Sequence, residues 1–134
     1  MRSEQSNSAD FKIVVVEDNL LDFELMESAL VAQFTCDVHL VMTKGQFEEA
    51  LAGKKPDIIV SDSNVVGFDG FAALQLAGER CPEVPFVFCS GAPLKEPPRE
   101  MNRTDFNWVP KESGFDGLVS FVKRVLVSKD STES

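Results

Sequence analysis

The sequence predicts an α/β fold in which helices cover both faces of a five-stranded parallel sheet. Strand-length apolar runs and amphipathic helix patterns alternate five times along the chain, at the spacing that βαβ crossovers need. The run Ile58 to Val60 is β-branched and free of polar residues, which is typical of a strand buried on both faces. At 134 residues the chain is long enough for one domain and too short for two.

The first part of the chain predicts a leader, a strand and a helix. Residues 1–10 are polar and lack periodicity, so we expect a disordered leader there. The apolar run 11–16 predicts the first strand. Residues 20–34 predict a helix with Asp22 facing away from its apolar stripe. That stripe consists of Leu21, Leu25, Met26, Ala29 and Leu30.

The middle of the chain continues this alternation. A short apolar run predicts a second strand over 37–42, and Thr43 and Gln46 fit a capping box that opens a helix through about Leu51. The third strand is expected over 57–62. Polar loop residues 63–67 follow it, and a helix stripe with Asp69 as N-cap extends over 70–80.

The last part predicts two strands and a long helix. Residues 85–91 suit a fourth strand, whereas Pro93, Pro97 and Pro98 exclude a regular helix after it and leave at most a short one over 99–102. A fifth strand is expected over 106–109. Ser113 then caps a helix with the apolar stripe Phe115, Leu118, Val119, Val122, Val125 and Leu126, and residues 128–134 form a polar tail or the start of a linker.

The composition is that of an ordinary soluble protein, 43% hydrophobic and 26% charged. No apolar run could span a bilayer and no signal peptide is present, so a cytoplasmic location is expected. The formal charge of −9 disfavours direct binding to nucleic acid or anionic membranes. Cys36, Cys81 and Cys89 lack metal-ligand spacing and are expected to be buried thiols in a reducing compartment.

Polar side chains follow four of the predicted strands. Glu17 and Asp18 follow the first strand, Asp62 the third, Ser90 the fourth and Lys111 the fifth. Because the carboxyl ends of parallel strands meet at one edge of a sheet, these side chains should lie close together. Each has an ordinary alternative as a helix cap, turn residue or surface charge, but their joint occurrence favours a functional site.

The chemistry of this set suits phosphoryl transfer. Three crowded carboxylates would repel one another unless a cation lies among them, and hard oxygen ligands suit Mg²⁺. The Lys111 ammonium and the Ser90 hydroxyl add a positive charge and a donor. Such a site could place a phosphoryl group on Asp62 while the metal and the lysine offset the charge of its oxygens.

The same residues carry a family resemblance, in the motifs Val-Val-Glu17-Asp18-Asn, Ser-Asp62-Ser-Asn-Val-Val-Gly67-Phe-Asp69-Gly70, Cys-Ser90-Gly and Trp108-Val-Pro-Lys111. Over about residues 11–127 the chain resembles the response-regulator receiver domain of two-component signalling, especially receivers associated with PAS-type sensor histidine kinases. The resemblance implies a flavodoxin-like doubly wound (βα)5 fold, here with a degenerate fourth helix.

The resemblance also implies roles for individual residues. Asp62 would be the phosphoacceptor, supplied by a histidine kinase or a phosphotransfer protein, and Lys111 would bind the phosphate. Mg²⁺ would be held by Asp18, Asp62 and the backbone carbonyl of Asn64, with Glu17 assisting directly or through water. Ser90 and Trp108 would form the switch. Val66, Glu112 and the proline-rich segment 93–98 depart from the family pattern.

Three classes of function remain after this comparison. The favoured one is a phospho-accepting switch that hydrolyses its own phosphate slowly at most and is not a turnover enzyme. The alternative is a receiver-fold interaction module that acts without phosphorylation. A flavodoxin-like cofactor binder or a Mg²⁺-dependent phosphatase is disfavoured, because no phosphate-binding loop follows the first strand. The downstream partner is unknown, and dimerisation on phosphorylation stays open.

Overall fold

The structure is a computed structural model and describes residues 11–62, 64–65, 68–91, 107–111 and 113–133. The expected leader lies outside these residues. So do the degenerate fourth helix, the short helix over 99–102, and the positions Val66 and Glu112.

Five strands form one sheet: β1 (Phe11–Val16), β2 (Cys36–Val41), β3 (Ile58–Ser61), β4 (Phe86–Ser90) and β5 (Asn107–Pro110). Their order is β2-β1-β3-β4-β5, and every neighbouring pair is parallel. This is the doubly wound order in which the direction of strand addition reverses beside β1. The predicted flavodoxin-like α/β fold is confirmed, with strand ends that differ from the expected ones by about one residue.

Within the described ranges, four helices accompany the sheet: α1 (Leu20–Gln33), α2 (Lys44–Ala52), α3 (Gly70–Arg80) and α4 (Asp116–Glu133). The predicted cap of α2 is present, since Thr43 Oγ1 accepts a hydrogen bond from the Gln46 N–H at 3.1 Å. Gln46 Oε1 in turn accepts from the Met42 N–H at 2.7 Å. These bonds satisfy backbone donors that the first turn of a helix leaves without partners.

Side chains of each strand alternate between the two faces of the sheet. Val14, Val16 and Ile59 pack with α2 and α3, whereas Ile13 and Val15 pack with α1 and α4. Both clusters are closed to solvent, and each large apolar side chain buried in them stabilises the fold by about 1.5–3 kcal/mol. The strand residues are therefore fixed from both sides, and the loops at the strand ends have a rigid support.

The predicted apolar stripe of α1 is buried only in part. Met26 and Leu30 are the residues that α1 buries in the core, while Leu21 and Leu25 are 64% and 52% exposed. The helix carries apolar residues around most of its circumference, so periodicity does not determine which side meets the sheet. As a result, α1 presents leucine side chains to solvent.

The last helix follows the predicted stripe. Phe115, Leu118, Val122 and Leu126 are buried, and Val119 and Val125 pack against the same cluster. A short 3₁₀ turn over Ser113–Phe115 precedes α4, with positive φ at Gly114 (79°) and Phe115 (54°). The backbone is helical through Glu133, in the segment expected as a polar tail. No glycine or proline after Gly117 interrupts it.

Candidate functional site

Three predicted site residues continue the hydrogen-bond ladder of the sheet past its strand ends. The backbone N–H groups of Glu17, Asp62 and Lys111 donate to carbonyl oxygens at the ends of β2, β1 and β4, at 3.1, 2.9 and 3.1 Å. Parallel pairing thus brings residues from distant parts of the chain to one edge. Their backbones are fixed before any side-chain contact is considered.

Three carboxylates form a cluster at this edge. Glu17, Asp18 and Asp62 can each offer an oxygen atom, and these atoms lie within 4.8 Å of one another. Glu17 is buried, and the two aspartates are half-buried. This donor set fits a hard divalent cation, which would offset the repulsion among the carboxylates.

The ammonium of Lys111 lies among the carboxylates. Its Nζ is 2.7 Å from Glu17 Oε1, 2.8 Å from Asp22 Oδ2 and 3.4 Å from Asp62 Oδ2. Burial by itself would lower the pKa of Lys111. The contacts with Asp22 and Glu17 and the charge of Asp62 outweigh that effect and raise the pKa above its usual value. Lys111 is consequently a fixed positive charge at neutral pH.

Glu17 is the most enclosed member of the cluster. Burial raises the pKa of its carboxyl group, and the nearby Lys111 and the Asn19 N–H, which donates to Oε2 at 3.1 Å, only partly oppose this. Oε1 contacts Lys111 as an ion pair outside hydrogen-bonding angles and has no hydrogen-bond partner among the described residues. A buried carboxylate oxygen that accepts no hydrogen bond fits a site that binds a cation or an ordered water.

Asp22 is the member of the site that the sequence did not predict. Its carboxylate accepts a hydrogen bond from Lys111 Nζ at 2.8 Å, and its side chain is one-third exposed. The residue lies in the first turn of α1, where its N–H donates to the capping Asn19 Oδ1 at 2.9 Å. The sequence feature that could have predicted Asp22 is its position one helical turn after Asp18, because the start of α1 lies at the functional edge.

The other predicted residues occupy separate places around the edge. Ser90 is the last residue of β4 and is buried. Trp108 is in β5, in register with Phe88, and is 44% exposed. Asn64 begins a short antiparallel hairpin in which Asn64–Val65 pairs with Phe68–Asp69, where the sequence predicted a polar loop. The switch roles of Ser90 and Trp108 and the ligand role of Asn64 stay predictions.

The cysteines take no part in this chemistry. All three are free thiols, with Cys81 and Cys89 buried and Cys36 partly so. Burial is the main cause that raises the pKa of Cys89 to about 12, so the thiolate form is absent at neutral pH.

Within the ranges that the structure describes, no helix is long and apolar enough to cross a membrane.

Comparison with known proteins supports the same fold and family resemblance. No family model matches the chain. The curated DNA-binding transcriptional regulator NtrC of Escherichia coli K12 is 28% identical over 114 residues, which make up 84% of this chain. The matched region is 24% of NtrC, so the chain spans about a quarter of the length of that relative.

Solved structures extend this similarity over most of the chain. The N-terminal domain of a response regulator/sensory box/GGDEF protein from Carboxydothermus hydrogenoformans has a TM-score of 0.73 and 23% identity, covering 92% of this chain and 99% of that one. The receiver domain of Nitrogen Regulatory Protein C has a TM-score of 0.65 and 25% identity, with coverage of 90% and 97%.

A third structure is of interest for the acidic cluster. The receiver domain of a sensor histidine kinase from Pseudomonas aeruginosa holds a magnesium ion in its active-site cleft. It has a TM-score of 0.68 and 21% identity, and covers 87% of this chain and 93% of its own. The predicted resemblance to response-regulator receiver domains is confirmed by these comparisons.

Proposed function

We propose that this receiver-fold domain is a phospho-accepting signalling switch in which Asp62 takes a phosphoryl group from a phosphohistidine donor. The observation that carries the proposal is the position of Lys111, whose Nζ lies 3.4 Å from Asp62 Oδ2. A permanent positive charge beside a half-buried carboxylate at the open edge of a parallel sheet suits a nucleophile that receives a phosphoryl group.

The transfer step uses one carboxylate oxygen of Asp62. That oxygen attacks the phosphorus atom of the donor, the bond between phosphorus and the imidazole nitrogen breaks, and its electron pair leaves with the imidazole. An acyl phosphate forms on Asp62. Lys111 stabilises the negative charge that spreads over the phosphoryl oxygens in the transition state.

Mg²⁺ is the cofactor that this proposal requires. Glu17, Asp18 and Asp62 provide the carboxylates, and the resemblance to receivers adds the Asn64 backbone carbonyl. When bound, the ion would neutralise charge on both the carboxylates and the phosphoryl oxygens. The magnesium-containing Pseudomonas aeruginosa receiver supports this choice of metal.

Ser90 and Trp108 are proposed as the parts that respond to the phosphoryl group. Ser90 ends β4, and its carbonyl accepts the Lys111 N–H, so its hydroxyl belongs to the same edge as Asp62. Movement of this hydroxyl toward a phosphoryl oxygen would alter the packing of the neighbouring strand. Trp108, on that strand, would then change its exposure and with it the surface offered to a downstream protein.

The donor is proposed to dock on the exposed apolar side chains of α1. Leu20, Leu21 and Leu25 are 57%, 64% and 52% exposed, and this end of α1 directly follows Asp18. A helical phosphohistidine domain of a histidine kinase or phosphotransfer protein could cover these leucines while its imidazole reaches Asp62. Burial of such side chains at an interface supplies binding energy that a small-molecule donor lacks.

The domain is proposed to hydrolyse its own acyl phosphate slowly at most and not to act as an enzyme on a separate substrate. Its proposed location is the cytoplasm. The downstream partner is a protein whose identity the site does not specify. Dimerisation on phosphorylation is compatible with this function but is not required by it.

The test is the intact mass of the protein after incubation with acetyl phosphate, with and without Mg²⁺. Wild type should gain one phosphoryl group only when Mg²⁺ is present, and Asp62→Asn should gain none. Asp37→Asn is the matched control, because Asp37 is an exposed carboxylate on β2, and it should be labelled as wild type is. Labelling of Asp62→Asn would move the acceptor elsewhere. Failure of wild type with both acetyl phosphate and a phosphorylated phosphotransfer protein would favour the interaction module.

A further inference from the structure

Lys111 has a partner outside the acidic cluster. Glu17 and Asp62 belong to the set of carboxylates that can hold a metal ion, but Asp22 does not. Even so, Asp22 Oδ2 is as close to Lys111 Nζ, at 2.8 Å, as Glu17 Oε1 is, at 2.7 Å. We infer that Asp22 is a positioning residue that keeps Lys111 directed at Asp62 while a metal ion occupies the site; this inference rests on the proposed function.

The geometry of the ammonium group supports this role. An ammonium has three N–H donors. The Lys111 ammonium forms an ion pair with Glu17 on the buried side and donates a hydrogen bond to Asp22 on the solvent side. The third carboxylate, Asp62, is more distant at 3.4 Å. Glu17 and Asp22 thus lie on either side of Nζ, which also donates to the phosphoacceptor Asp62.

Metal binding is expected to change the relative strength of the two ion pairs that Lys111 forms with Glu17 and Asp22. A divalent cation attracts the oxygens of Glu17 and weakens the attraction of that carboxylate for Lys111. Asp22 lies outside the cluster, so a cation bound there would reduce its attraction for Lys111 much less. Asp22 would therefore be the main restraint on Lys111 when a metal ion fills the site.

The restraint has a physical effect because lysine is a flexible side chain. Fixing its four-carbon stem costs rotamer entropy. Asp22 is itself fixed by the first turn of α1, since its N–H donates to the Asn19 side chain at 2.9 Å. The pair therefore ties the start of α1 to the end of β5 and presents the ammonium in place before the donor arrives.

The test compares Asp22→Asn with Glu24→Gln in Mg²⁺-dependent labelling by acetyl phosphate. Both changes remove one negative charge from α1, but Glu24 is exposed and has no ion pair among the described residues. At saturating Mg²⁺, Asp22→Asn should lower the rate constant of labelling by roughly three- to tenfold, the range expected for a partly exposed charge-assisted hydrogen bond. Glu24→Gln should match wild type.

Two further readouts separate positioning from a general disturbance of the site. The Mg²⁺ concentration at half-maximal rate should be unchanged in Asp22→Asn, because Asp22 is not a ligand of the metal. Asp22→Glu should recover part of the lost rate, because it restores a carboxylate within reach of Lys111.

The outcomes that overturn the inference differ from those that overturn the proposed function. Labelling of Asp22→Asn at or above the wild-type rate, or a weaker Mg²⁺ response that accounts for its whole defect, would refute the positioning role while the switch function stands. If wild type gains no phosphoryl group from any donor, the function fails and the inference fails with it.

Discussion

Lys111 Nζ lies 2.7 Å from Oε1 of the buried Glu17, and this ion pair joins the end of β5 to the end of β1 across the functional edge. The side chain of Glu17 is 1% exposed. A buried carboxylate with a cation beside it is much less costly than the same carboxylate without one. The lysine is therefore important for the stability of the metal-free protein as well as for the chemistry.

Lys111→Met should destabilise the protein in EDTA at pH 7 by about 3 kcal/mol, because it leaves Glu17, Asp22 and Asp62 as neighbouring charges without a cation. The measurement is urea denaturation. Lys44→Met, at an exposed position, is the control and should change the free energy of unfolding by less than about 0.5 kcal/mol. Added Mg²⁺ should restore part of the loss in Lys111→Met. Equal effects of the two substitutions would contradict the role of Lys111.

Glu17→Gln should stabilise the metal-free protein at neutral pH. The pKa of Glu17 is raised in the folded state above its ordinary value of 4.5, mainly by burial, so folding favours the neutral carboxyl group more than the unfolded chain does. The stability that this group contributes is complete below pH 4.5 and is lost as the pH rises through the folded-state pKa. The stability advantage of Glu17→Gln in EDTA should therefore increase between pH 4 and pH 7.

Urea denaturation across this pH range checks the expectation, with Glu24→Gln as a control for loss of an exposed carboxylate. An advantage of Glu17→Gln that stays constant with pH would contradict the assigned shift. The same substitution should weaken Mg²⁺ binding, since it removes one charge from the cluster.

Asp18→Ala should weaken Mg²⁺ binding by roughly tenfold or more, because a hard cation loses a charged oxygen ligand. Isothermal titration calorimetry measures the affinity directly, and Trp108 fluorescence gives a second signal from β5. Asp37→Ala removes an exposed aspartate away from the cluster and should bind Mg²⁺ as wild type does. Unchanged affinity in Asp18→Ala would remove Asp18 from the ligand set.

Leu21→Asp should slow phosphoryl transfer from a phosphorylated phosphotransfer protein by roughly tenfold, the effect of losing an apolar anchor at an interface. Its labelling by acetyl phosphate should be unchanged, because the small donor makes no contact with α1. Val127→Asp changes another exposed apolar residue, on α4, and should leave both reactions unchanged. An equal loss of rate with both donors would show that the substitution at Leu21 disturbs the phosphorylation site and not the docking of the donor protein.

The strand pattern allowed most of the functional edge to be predicted. Residues that follow the parallel strands must meet at one edge, whatever the details of side-chain packing. Asp62 and Lys111 are separated by more than a third of the chain, but their proximity follows from the order of apolar runs. Charge and ligand chemistry then indicated a cation among the carboxylates.

The orientation of α1 could not be predicted in the same way. Because apolar residues surround most of the helix, periodicity placed Leu21 and Leu25 on one stripe with Met26 and Leu30, but packing against the sheet buries only Met26 and Leu30 of these four. The same rotation brings Asp22 to Lys111. Both the exposed leucines and the additional partner of Lys111 are consequences of how one helix turns about its axis.

The sequence by itself determined the alternation of strands and helices, the parallel sheet and the identity of the polar residues at its edge, because these follow from local periodicity and chain order. The tertiary structure decided the distances from Lys111 to its three carboxylates, the burial of Glu17 and the inclusion of Asp22. These features depend on how helices and strands pack against one another, and that packing is set by contacts between residues far apart in the chain.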